Sequence, residues 1–219
     1  MDLWKLYNSV WVSPAVRANP AMVAPTYLAL QRSYAEPHRR HHVWYHIEKG
    51  IELIYEFRDA VAHLEWLTLA YFNHDRVYDT RRQDNELVSA NRTSDDLRQA
   101  NALPEAILGI HSLIMDTAHS LGRTLTTVDS QLIVSADLVT LGFAPELFDR
   151  YSRNIFVEFV EYGGVDSREF LKEQNEFFKS MLVKPVIYPF APLHQRYDAQ
   201  ARENLTRAIR AYEAKTAAN

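Results

Sequence analysis

The stretch AVAHLEWLTLAYFNHD, residues 60–75, is apolar around almost its whole circumference when wound as a helix. A helix of that kind cannot lie on a surface, so it has to be enclosed by other helices. This one segment therefore demands a multi-helix core. It also ends on a His-Asp pair, His74 and Asp75, and an ionised carboxylate at the end of a buried helix needs partners.

The remaining composition agrees with helices. Six glycines stand against nine prolines in 219 residues, and Leu, Ala, Glu and Arg are abundant. This favours helices over sheets and over phosphate-cradling glycine loops. Cysteine is absent, which excludes disulfides and thiolate metal sites, so any metal must be held by nitrogen and oxygen. The net charge of −4 creates no field that would draw the chain to nucleic acid. No run approaches the ~20 apolar residues of a membrane span. Asp2 stands where a signal peptide carries basic residues. A cytoplasmic protein without a membrane partner is expected.

Helix signals recur along the chain. Prolines punctuate residues 13–25 as a loop, and a helix follows with Pro25 in its first turn and Pro37 beyond its end. Residues 38–59 read as helical from the spacing of His42, His46, Ile47, Ile51 and Ile54. Pro104 and Pro145 mark two further helix starts, and Asp166 is a candidate N-cap. TTVDSQLIVSADLVTLG has the β-branched content of a strand, but it lacks strand partners and is assigned to a helix. Residues 183–193, with Pro185, Pro189 and Pro192, read as loop before a closing amphipathic helix. The expectation is one all-α domain over residues 1–219, a helical bundle of about seven to nine helices. N-terminal helices occupy 1–33, a motif-bearing core 36–142, and C-terminal helices 143–219.

Four of the nine histidines fall within residues 38–46. On a continuous helix His42 and His46 share a face, one turn apart. That suits a metal ligand beside a group aimed at substrate, and it equally suits a solvated basic helix entrance. His38 and His41 are assigned to the entrance. Asp137, an acid inside the apolar run SADLVTLG, proves little by itself.

The order His, His-Asp, distant Asp resembles the metal-dependent HD superfamily of phosphohydrolases, which is all-α. The chain is most similar to a bacterial branch of predicted metal-dependent HD phosphohydrolases. That branch shows EPHRxYHxxxHI, FHDxVYD, DNExxSA, TxxH, DxDLxxLG and ARxNL. Here the segments are EPHRRHHVWYHI, FNHDRVYD, DNELVSA, DTAH, SADLVTLG and ARENL, in that order, from about Glu36 to Leu205. The resemblance implies that His46, His74, Asp75 and Asp137 bind a metal, and that His42 is a general acid or phosphate contact. Ser135 replaces the first acid of DxDL. Phe156 in IFVEF stands where an Arg is usual, and a following GR-containing segment is not evident.

Two imidazoles and two carboxylates suit Mn²⁺, Fe²⁺, Co²⁺, Ni²⁺ or Mg²⁺ better than structural zinc. The implied activity is hydrolysis of a small phosphorylated molecule, with a nucleotide as the leading candidate, through water attack on phosphorus. Asp79 is a candidate general base or a turn-capping acid. His119 is a candidate phosphate contact, a second-metal ligand or a core histidine. Arg76 is a candidate substrate contact. Asn85, Glu86 and Ser89 match a motif without a role that chemistry assigns. A di-iron oxygenase drawing on His111 and His119, and a non-catalytic metal- and nucleotide-binding protein, are the alternatives. A homodimer is left open.

Overall fold

The apolar segment forms helix α4, Leu64–Asn73, whose residues from Leu67 to Asn73 are all buried. In this computed structural model residues 1–217 are described, apart from the side chains of Ser120 and Ala217. The described residues form ten α-helices and no strand. The other nine are α1 (Leu3–Trp11), α2 (Val23–Tyr34), α3 (Trp44–Glu56), α5 (Asn85–Gln99), α6 (Pro104–Asp116), α7 (Val128–Asp137), α8 (Pro145–Phe156), α9 (Ser167–Leu182) and α10 (Ala191–Ala217). The all-helical expectation holds, with one helix more than its upper bound. Helix α4 packs against α1, α3, α5, α6 and α7, so it is the enclosed element its composition requires. No single described helix is long and apolar enough to cross a membrane.

Local signals set several boundaries as expected. Asp166 caps α9 by accepting from the Arg168 and Glu169 N–H groups. Pro104 and Pro145 lie in the first turns of α6 and α8. The β-branched segment is helical: Thr127 caps α7 through the Ser130 N–H, and a 3₁₀ turn over Leu138–Gly142 continues it. Helix α8 runs on into a π-helical segment, Val157–Tyr162.

Helix α10 begins at Ala191, inside the expected 183–193 loop, and one boundary departs further. Helix α3 begins at Trp44, so residues 38–42 lie outside it in turns and bends. His42 and His46 therefore do not share a helix face. The cause is a long-range one. Glu158 in the π-helical segment accepts from the N–H groups of Arg40, His41 and His42 at 2.5, 2.7 and 3.1 Å. Those donors fan around one carboxylate oxygen and are held out of the helical ladder. His41 is also not a solvated entrance residue, because it is 7% exposed.

Helices α3, α4 and α7 pack on one another. Gly50 of α3 permits the close approach, since a Cβ there would overlap the ring of fully buried Tyr71 on α4. Gly50→Ala is expected to cost about 1–3 kcal/mol through overpacking, measured by urea denaturation. A loss below experimental error would show that the α3–α4 contact yields freely.

Candidate metal centre

Three packed helices deliver four ligand side chains to one point. His46 comes from the first turn of α3, His74 and Asp75 from the end of α4, and Asp137 from the last residue of α7. One ligand atom from each lies within 4.8 Å of every other. His46 Nε2 and His74 Nε2 are 3.4 Å apart, and each is 3.3 Å from Asp137 Oδ1. Asp75 Oδ2 is 3.1 Å from His74 Nε2 and 3.8 Å from His46 Nε2. Converging nitrogens and carboxylate oxygens at such spacing form a concave donor set.

The surroundings fit a cation. His74 Nδ1 lies 2.8 Å from the Tyr71 carbonyl. A carbonyl can only accept, so Nδ1 carries a proton and Nε2 is the atom that faces the cluster, where an ion would take the place of its proton. Asp75 Oδ2 is buried with no well-aligned hydrogen bond, facing His74 Nε2 at 3.1 Å. A buried carboxylate oxygen without such a bond is costly, and a metal ion resolves that cost. The Asp75 and Asp137 side chains keep 12% and 16% exposure, which leaves an open edge toward solvent. The donors are two nitrogens and two oxygens, a set that accepts a divalent ion with sites to spare.

Electrostatics point the same way. Burial alone would depress the His74 pKa, but the Asp75 and Asp137 charges outweigh it and hold the imidazole well above its usual range. Burial alone would raise Asp137, and the charge of His74 with hydrogen bonds from His119 and His46 reverses this and holds it well below the usual carboxylate range. The cluster is thus arranged to stabilise positive charge at its centre.

A second set of residues orders this centre. His119 Nε2 is 2.9 Å from Asp137 Oδ2, the oxygen opposite the one facing His46 and His74, so it orients the carboxylate. Arg39, 2% exposed, donates to the carbonyls of Asp75 and Arg76 at 2.7 and 3.2 Å and pairs with Glu36. It ties the chain before α3 to the His-Asp turn. The DNELVSA segment acquires a role as well. The Asn85 amide accepts from Asp79 N–H and donates to Asp79 C=O, and Ser89 Oγ accepts from Val77 N–H at 2.9 Å. Together they brace the turn that follows Asp75. Glu86 has its pKa raised by burial first and then by the charges of Asp75 and Asp137.

His42 stands beside the cluster, its ring centroid 6.2 Å from that of His46 and stacked on Tyr78 at 4.0 Å. Its Nδ1 lies 2.8 Å from Glu158 Oε2, which also accepts from the Tyr78 hydroxyl at 3.0 Å. Burial alone would lower the His42 pKa, but the charges of Glu158 and Asp75 raise it overall. Glu158 is fully buried. Burial would push its carboxyl up, and His42 with the Arg40 and His41 N–H groups instead brings it down to about 2. Sequence reasoning noticed IFVEF only for its missing Arg. The available signal was the acid itself, one carboxylate inside an apolar run.

Two candidates are not brought to the cluster. Asp79 is engaged by Arg81, whose Nε lies 3.1 Å from its carboxylate. Arg76 is paired with Asp96 at 2.5 Å, and both Asp79 and Arg76 line a separate cavity of about 440 Å³. Ser135 points away from the centre, where its hydroxyl accepts from Phe190 N–H, so the missing first acid of DxDL leaves the four ligands untouched. Phe156 packs on Phe170 and supplies no cation. His111 lies 3.3 Å from Asn91, outside the cluster. No protein-family model, curated protein or solved structure matches this chain.

Proposed function

We propose that the chain is a metal-dependent phosphohydrolase of the HD type, acting on a small phosphorylated molecule, with a nucleotide as the leading candidate. The observation that carries the reading is the convergence of His46, His74, Asp75 and Asp137 on one point, with a buried Asp75 oxygen that makes no well-aligned hydrogen bond. A divalent ion held there would supply Lewis acidity toward a phosphoryl oxygen and a water of lowered pKa.

The chain's own groups complete the chemistry. Glu158 fixes His42 through Nδ1, which leaves Nε2 as its free donor. Glu158 also favours the protonated imidazole, the form needed in a general acid. As water forms its bond to phosphorus, losing a proton to solvent, and the P–O bond to the leaving group breaks, His42 Nε2–H gives its proton to the leaving oxygen. His119 keeps Asp137 turned toward the centre throughout. The cations Lys49 and Arg150 line the adjoining cleft and suit an anionic substrate.

A phosphate-release screen over nucleotides and simple phosphate esters, with each of several divalent metals, tests the proposal. Release that needs the metal and stops with chelator is expected. His42→Ala is expected to keep the metal and lose rate by about 10²–10³-fold. Tight ligand binding without turnover under every metal would instead identify a non-catalytic binding protein. Two ions per chain with oxygen consumption would identify an oxygenase.

A further inference from the structure

A cleft of about 310 Å³ opens directly beside the metal centre, with His46 and Tyr71 in its wall. Its remaining lining has a definite chemistry. Val139, Phe143 and Tyr151 give it apolar and aromatic surface. Arg40, Lys49 and Arg150 give it positive charge, and no Asp or Glu is among its lining residues. Such a wall repels cations and accepts a ligand that is flat, apolar in its middle and negative at its ends.

The three charges are not equivalent: the Arg40 guanidinium donates to the carbonyls of Pro37 and Arg39 and to the Tyr162 hydroxyl, which occupies it. Lys49 is already paired with Glu52 at 2.7 Å. Arg150 has no carboxylate partner among the described residues, and its guanidinium lies 5.5 Å from the Tyr151 ring centroid. Tyr151 links it to the metal end: its ring is 5.3 Å from His41, which is 5.4 Å from His46. His41 is buried there, and its Nδ1 has no hydrogen-bond partner. The cleft thus runs from a metal centre, past an unpartnered imidazole and two aromatic rings, to an unpaired guanidinium.

We infer that the substrate of this site is a phosphomonoester with a planar apolar body and a second anionic group at the far end, and that Arg150 selects it. The inference rests on the phosphohydrolase reading for the phosphate at the metal end. It adds a requirement that reading lacks. Arg150 would bind a carboxylate or phosphate through its planar fork, as guanidinium groups do.

Two non-hydrolysable probes separate the ideas: phenylphosphonate, and 4-carboxyphenylphosphonate, which carries the second anion. Their affinities for the full-length Mn²⁺-loaded protein are read by titration calorimetry. The carboxylated probe is expected to bind about tenfold more tightly, the usual worth of one charge-assisted contact. Arg150→Gln is expected to erase that advantage, bringing the two probes to the same affinity. Circular dichroism of the variant checks that it is folded, and Arg150→Lys, which keeps the charge, should restore part of the difference. Equal affinities in the wild type, an advantage that survives Arg150→Gln, or no binding of either probe would overturn the inference. Binding as expected, with no phosphate released from the matching esters, would sink the phosphohydrolase reading and leave the assignment of Arg150 standing.

Discussion

Asp137→Ala is expected to lose the metal. The residue offers one oxygen to the space between His46 and His74, while the other is held by His119. Removing it takes away a ligand and a negative charge together, and leaves two facing imidazoles 3.4 Å apart with less to balance a cation. Outer-sphere partners of metal ligands are worth 10–100-fold in affinity, so loss of a ligand should weaken binding by at least about 100-fold. Titration calorimetry of the metal-free protein with Mn²⁺ measures this directly. Asp75→Ala should behave alike. An affinity within a few-fold of wild type in both variants would place the ion elsewhere.

The second large effect is on stability. Glu158→Ala removes a fully buried carboxylate that satisfies three backbone N–H groups, the His42 imidazole and the Tyr78 hydroxyl. The partners stay behind unpaired, with His41 buried and His42 and Tyr78 half-buried. Breaking a buried ionic pair from one side costs about 3–5 kcal/mol. Urea denaturation of the metal-free protein should show a loss of that order, and a change below about 1 kcal/mol would contradict the clamp.

The same pair predicts a pH profile. The Glu158 pKa falls from 4.5 to about 2 on folding, so its stabilisation is present above about 4.5 and lost as pH drops toward 2. A shift of that size corresponds to about 3 kcal/mol. The His42 pKa is raised above 6.5, so its contribution is complete below 6.5 and lost as pH climbs through the raised value. Between those limits the clamp is at its strongest. Glu158→Gln should flatten the acid limb of the stability profile.

What could be read from the chain follows from how local each feature is. The burial of α4 was legible because an all-apolar helix has only one solution. The caps at Asp166 and Thr127 act within a few residues of themselves. The meeting of His46, His74, Asp75 and Asp137 was anticipated from the order of their segments, and HD and SADL fall at the ends of α4 and α7. The start of α3 was not legible. The spacing of His42, His46 and Ile47 continues a helical period, and only Glu158, 116 residues away, interrupts it. Arg39 was hidden for the same reason, since its carbonyl partners on Asp75 and Arg76 lie 36 and 37 residues along the chain. A buried arginine and a solvated one look alike in a sequence until the fold supplies what surrounds them.

The claim on which the rest depends is that His46, His74, Asp75 and Asp137 together hold a divalent ion. Titration of the metal-free wild-type protein with Mn²⁺, alongside a His74→Ala, Asp75→Ala double variant, tests it most directly. The account predicts saturable binding of an ion by the wild type and loss of that binding in the double variant, with both proteins equally helical. No binding by the wild type, or binding of equal strength in the double variant, would contradict it.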